Sequence, residues 1–173
     1  MLKTNRLKNL FRQKTLRANL PSLRLVATLA WDAMITSIET IKSDFQFLDD
    51  WEDRYRYIIE LGREMAPLDD AQKSAANKVD GCASQVWLVS EKLKSSPVII
   101  KYNGDSDAHI VRGLVAIVTS AFTGKTAAEI IALDADELLK SLGLDAHLSQ
   151  QRSNGLRAMI RRIKSEAATI AND

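Results

Sequence analysis

The stretch Val79-Asp80-Gly81-Cys82-Ala83-Ser84-Gln85-Val86-Trp87-Leu88-Val89 decides how the rest of the chain is read. Val86 and Leu88 alternate with Trp87 and Val89, the period of two that gives a strand two usable faces. A strand is expected over Ser84–Leu93, with shorter ones over Asn77–Asp80 and over Pro97–Tyr102, the sequence PVIIKY. Asp80-Gly81 has the chemistry of a hairpin turn, and Asn103-Gly104 is expected to close the third strand in the same way. The cysteine between the first two strands then sits at a loop tip.

Outward from this centre, both flanks read as helix. Ile35, Ile38, Ile41 and Phe45 recur at helical intervals. Asp49-Asp50 offers N-cap oxygens, Glu52 and Asp53 suit a first turn, and Trp51, Tyr55, Ile58, Ile59 and Met65 trace one face of a second helix that Pro67 ends. Beyond the strands, Ala108–Phe122 is apolar on nearly every side except Arg112, so it is expected to lie buried across the sheet until Gly124 stops it. Two short helices follow over Thr126–Leu133 and Asp134–Leu142, then a long amphipathic one over Ser153–Ile170 with Leu156, Met159, Ile160 and Ile163 inward. The expected class is α+β: a small, about three-stranded antiparallel sheet with helices packed on it.

A chain of 173 residues, 46% hydrophobic and 27% charged, suits one domain with a real core. The single cysteine forms no internal disulfide, which favours a cytosol-like compartment. The net charge of +2 hides an asymmetry. Residues 1–30 contain seven basic side chains (Lys3, Arg6, Lys8, Arg12, Lys14, Arg17 and Arg24) and no acid, so 17 of the 24 basic residues are left against 22 acidic ones. The body therefore carries about −5, and the positive balance does not make it a nucleic-acid-binding surface. Residues 1–33 are expected to be a basic extension: transit-like, a flexible arm, or sequence upstream of a true start at Met34. Residues 34–173 form the domain. No run reaches the roughly 18 apolar residues of a membrane span, so no membrane partner is expected. The expected location is the bacterial cytoplasm, with organellar import left open by the basic N-terminus.

The chemistry narrows to Cys82. Gly124-Lys125-Thr126 resembles the end of a phosphate loop, but position 119 is Thr where that loop needs glycine, and a helix precedes it rather than a strand. His109 and His147 lack the paired spacing of a zinc site, and one cysteine is a poor ligand set. A second thiol for dithiol redox chemistry is absent. Two readings of Cys82 stay open on these grounds: a small buried hydrophobe, or a nucleophile poised on a loop beside a rigid strand, with a Cys/His hydrolase as a minor form of the second.

Four segments carry a resemblance. Trp51 to Gly62 (WEDRYRYIIELG), Gly81 to Val89 (GCASQVWLV), Asn103 to Leu114 (NGDSDAHIVRGL) and His147 to Ile163 (HLSQQRSNGLRAMIRRI) stand in the order found in the SufE/CsdE family of sulfur-acceptor proteins. The chain resembles that family from about Ile35 to Ala168. The resemblance implies an IscU-like fold and a persulfide relay. A pyridoxal-phosphate cysteine desulfurase of the SufS or CsdA type loads sulfur onto Cys82, is stimulated in doing so, and the sulfur passes to a SufB-containing scaffold for iron–sulfur cluster assembly. It implies no cofactor of the chain's own, and a monomer or weak homodimer. One thiol suffices for such exchange, whereas a bound cluster normally needs several. A non-catalytic docking regulator of a desulfurase is the alternative. Matching the family motifs residue by residue, Gly81, Gln85, Asp105, Asp107, His147 and Arg152 are the expected supporting or partner-contact residues. Arg152 is expected to favour the sulfur anion or to form a loop salt bridge, Asp105 and Asp107 to fix the cysteine loop or cap a helix, Gln85 to hold the loop through its amide, and Trp87 to be core.

Overall fold

In the computed structural model, which describes residues 36–172, two strands pair where the alternation is strongest. Strand β1 (Val86–Lys92) runs antiparallel to β2 (Ile100–Ser106), with Trp87 opposite Asp105 and Leu88 opposite Gly104. The α+β class and the antiparallel sense stand; the number of strands among the described residues is two, not three. Lys78 forms only an isolated bridge to Trp87, with Val79 N donating to Val86 O at 2.9 Å, because the chain turns away at Gly81 immediately afterwards. The expected PVIIKY strand starts late. Pro97 has no N–H to give a ladder, and Ser95 Oγ accepts from Ile99 N at 3.2 Å in a side-chain-closed turn. It also ends late, since Asn103-Gly104 continues the strand rather than turning it. Gly104 is needed for clearance: a β-carbon there would lie 2.6 Å from Val115 Cγ1.

Five of the seven α-helices among the described residues begin on an identifiable cap. Helix α1 (Ile38–Gln46) starts at Ser37, whose Oγ accepts from Thr40 N at 3.2 Å, and α2 (Trp51–Glu64) starts at Asp50, whose carboxylate accepts from Asp53 N at 2.9 Å. The buried face of α2 is Tyr57, Ile58, Leu61 and Gly62, a rotation away from the expected one that leaves Trp51 and Tyr55 half-exposed. Helix α3 (His109–Phe122) is buried along most of its length, packs on α2, β2 and the last helix, and stops before Gly124, which has φ +80°. Helix α4 (Ala127–Ala132) carries a capping box of Thr126 and Glu129, and α5 (Ala135–Ser141) is capped by Asp134. A four-residue helix α6 (Leu144–His147), where no helix is expected, precedes α7 (Gln150–Asn172). Helix α7 begins three residues earlier than expected because Ser149 caps it, its Oγ 3.4 Å from Arg152 N. None of the described helices is long and apolar enough to cross a membrane. The extension expected over residues 1–33 lies outside the described residues.

The core depends on one close crossing. A β-carbon on Gly113 of α3 would lie 2.0 Å from Ile58 O, and one on Gly62 of α2 would lie 2.6 Å from Gly113 N, so the two helices meet backbone to backbone. The crossing ties α3 to α2, while α3 also packs on β2 and reaches the pocket beside Cys82 through Ile110 and Val111 of its first turn. Gly113→Ala must separate the helices, and a loss of about 3 kcal/mol in urea unfolding is expected, as for an overpacked core site. A loss under about 0.5 kcal/mol, the usual range of a surface change, would show that the crossing is not close.

Candidate functional site

The loop bearing Cys82 is pinned at both ends. At its start, Val79 N is bonded to Val86 O, and Gly81 takes φ +86°, a left-handed turn that side chains resist. At its end, Gln85 N donates to Asp107 Oδ1 at 3.0 Å, while Gln85 O accepts from Ser106 Oγ at 2.7 Å. Gln85 thus fixes the loop through its backbone, and Asp107 is the carboxylate that holds it. Between these pins the chain dips toward α7, where Cys82 Sγ donates to Gly155 O at 3.5 Å. A β-carbon on Gly155 would lie 3.4 Å from that sulfur.

Behind the thiol is a pocket of about 160 Å³. Its walls are Ile110, Val111 and Leu114 from α3 and Met159, Gly155 and Arg152 from α7, with Ala83 and Ser84 at the loop. Burial against this lining pushes the Cys82 thiol above its ordinary range, and the nearby Asp80 carboxylate pushes it further the same way. At rest Cys82 is therefore a protonated, weakly nucleophilic thiol.

The other expected residues divide between the pocket and its surroundings. Arg152 lines the pocket from the first turn of α7, not from a loop, and its guanidinium lies 6.0 Å from the ring centre of Tyr55. Tyr55 OH in turn donates to His147 O at 3.0 Å. The His147 ring stacks on Trp51 at 3.9 Å, with Nδ1 3.1 Å from Gly143 O, and neither His147 nor His109 lines the pocket. Asp105 is buried at the end of β2 and serves the fold. It accepts from Leu68 N at 3.3 Å and from Ser106 N at 2.8 Å, and it pairs with Lys73 at 3.0 Å and Arg112 at 3.2 Å. Burial raises its pKa, but the Lys73 bond, the two amides and Arg112 together outweigh that and hold it ionised below the usual carboxylate range. Arg112 also donates through Nη2 to Met65 O at 2.9 Å, so Asp105 and Arg112 together tie the end of α2 to the sheet. Trp87, expected in the core, is half-buried, with Lys73 Nζ 5.9 Å from its ring centre. The apolar pocket wall of Ile110, Val111, Leu114 and Met159, and Gly155 against the sulfur, were not expected to be functional. For Gly155 the available signal was a glycine in a helix interior, where it costs stability and so points to a close approach by another part of the chain. Among the described residues no three His, Cys, Asp or Glu side chains gather closely enough to hold a metal ion.

Comparison with known proteins places this architecture. Residues 39–167 match the family described as SufE: Fe-S metabolism associated domain. The chain belongs to the SufE family. A SufE-like protein of Rhizobium meliloti is 54% identical over 134 residues, spanning 77% of this chain and 96% of the relative. One from Rhizobium etli is 56% identical over 139 residues, spanning 79% and 93%. The solution structure of a hypothetical protein from Thermus thermophilus shares the fold at a TM-score of 0.60 and 14% identity, covering 79% of this chain and 93% of that one. Membership ties the protein to iron–sulfur metabolism.

The raised thiol pKa has a direct readout. Alkylation of Cys82 followed against pH in the folded protein is expected to rise with a midpoint above the value of about 8.5 of a free thiol, and urea-unfolded chain is expected to return to that value. A folded midpoint at or below the unfolded one would mean that the thiol is activated at rest.

Proposed function

We propose that this SufE family member is a sulfur carrier: Cys82 receives sulfur from a pyridoxal-phosphate cysteine desulfurase, stimulates that enzyme by clearing it, and delivers the sulfur to a SufB-containing scaffold for cluster assembly. The observation that carries the reading is a sole thiol, on a loop pinned at both ends, seated on an apolar pocket of its own.

The exchange needs only what this site offers. The Cys82 thiolate attacks the terminal sulfur of the desulfurase persulfide. A new S–S bond forms at Cys82, the old one breaks, and the desulfurase cysteine leaves as thiolate. No electron is gained or lost overall, so the chain needs no cofactor of its own; the pyridoxal phosphate belongs to the partner. Before attack Cys82 must give up its proton. The resting site disfavours this through burial and through Asp80, and a docked partner that draws the loop off its pocket removes the larger of the two penalties. A resting carrier is thereby kept from reacting with small disulfides and oxidants. A Cys/His hydrolase would need an imidazole within hydrogen-bond reach of the sulfur. Here the sulfur faces a carbonyl, and neither histidine lines the pocket.

Incubation with desulfurase, cysteine and pyridoxal phosphate, followed by intact-mass measurement, tests the proposal. Wild type is expected to gain reducible sulfur mass and to accelerate sulfur release, whereas Cys82→Ser gains none and does not accelerate it. A wild-type mass without added sulfur would reject the relay. A Cys82→Ser variant that still accelerates the desulfurase as well as wild type would make the protein a docking regulator.

A further inference from the structure

Arg152 is a cation without an anion. It lines the pocket that holds Cys82, yet among the described residues no carboxylate pairs with its guanidinium and no side-chain hydrogen bond engages it. What it meets is the ring of Tyr55, whose centre lies 6.0 Å from the guanidinium carbon, within the roughly 6 Å over which an aromatic face attracts a cation. The ring is itself held in place. Its hydroxyl donates to His147 O at 3.0 Å, and it meets Trp51 edge-on with ring centres 5.9 Å apart, while Trp51 is stacked on His147 at 3.9 Å.

The thiol of the same pocket gains nothing from this cation. Two ionisable groups stand near it, Asp80 on its own loop and Arg152 on α7, whereas α3 contributes only Ala108, Ile110, Val111 and Leu114. A guanidinium against the sulfur would draw the thiol below its ordinary range; burial and Asp80 instead leave it above. Yet the cation is close by. Arg152 and Gly155 stand three apart in α7 and so share a face of the helix, and Gly155 carries the carbonyl that meets Sγ. The guanidinium has only to leave Tyr55 to turn toward the sulfur.

We propose that Tyr55 is a positioning residue: its ring seats the Arg152 guanidinium away from Cys82 at rest and yields it to the sulfur anion when the seat is given up. This rests on Cys82 being the reacting thiol of the relay, and it gives a role to a residue outside the pocket. Seated on the ring, Arg152 leaves the thiol protonated and slow. Released, it opposes Asp80 and favours the thiolate.

The test follows iodoacetamide alkylation of Cys82 against pH in the full-length protein, with no desulfurase present. Tyr55→Leu, which removes the ring, is expected to lower the midpoint by about one pH unit, the low end of what an adjacent opposite charge does. The rate near pH 7 is expected to rise only about threefold, because a thiolate of lower pKa is also a poorer nucleophile. Adding Arg152→Gln to Tyr55→Leu should restore the wild-type midpoint, and Arg152→Gln alone should leave it in place. Tyr55→Phe keeps the ring and should also leave it in place. A Tyr55→Leu midpoint equal to wild type overturns the proposal, as does a fall that persists without Arg152, which would make Tyr55 a packing residue of the loop. A fall in Tyr55→Phe as large as in Tyr55→Leu overturns it too. Where the leucine chain does not fold, Arg152→Gln decides: a raised midpoint places the cation already at the sulfur and overturns the proposal, and an unmoved one upholds it. A desulfurase that fails to load the wild type sinks the carrier reading without touching these midpoints.

Discussion

The contact between Cys82 Sγ and the Gly155 carbonyl, 3.5 Å apart, joins the cysteine loop to the last helix, 73 positions along the chain. It is weak as a hydrogen bond, and its importance comes from what it requires. The sulfur reaches α7 only because Gly81 turns the chain with φ +86° and because Asp107 and Ser106 clamp Gln85 on the far side. The helix is in reach because α3 packs on both β2 and α7, and the Gly62–Gly113 crossing ties α3 to α2. Asp105, buried with Lys73 and Arg112, fastens the end of α2 to the strand that leads into both clamps. The fold can be read as a mount that holds one thiol against one helix.

That mount also sets reactivity. A pocket lined by Ile110, Val111, Leu114 and Met159 makes a thiolate costly, and Asp80 adds to the cost. Arg152, the cation at the same pocket, has its guanidinium near the Tyr55 ring, and the resting thiol stays on the protonated side. A sulfur carrier gains from this arrangement. Exchange rate depends on the fraction of thiolate, so under the proposed relay a thiol that ionises more readily once moved reacts faster with the partner that moves it.

Much of this was legible from residue order. Alternation at Val86–Val89 located β1, Asp50, Thr126 and Asp134 marked helix starts, and the lone Cys82 beside a glycine pointed to the loop. The misreadings have physical causes. Asn103-Gly104 has turn composition, but tertiary packing on Val115 decides its conformation. The expected start of α7 at Ser153 missed the cap at Ser149, which follows directly on the short helix α6. Asp105 and Asp107 stand two apart in one motif, yet the strand ends between them, so one is buried in the core and the other reaches the loop. Gly155 carried a signal in its helix-breaking character, but what pressed against it, Cys82, is 73 positions away.

The central claim is that the thiol is held unreactive on its pocket until a partner draws it off. Iodoacetamide labelling of Cys82, with and without a desulfurase whose own catalytic cysteine is replaced by serine, measures this directly. The account predicts faster labelling of the docked protein, by about tenfold for the release of a modest local restraint; equal or slower labelling would contradict it.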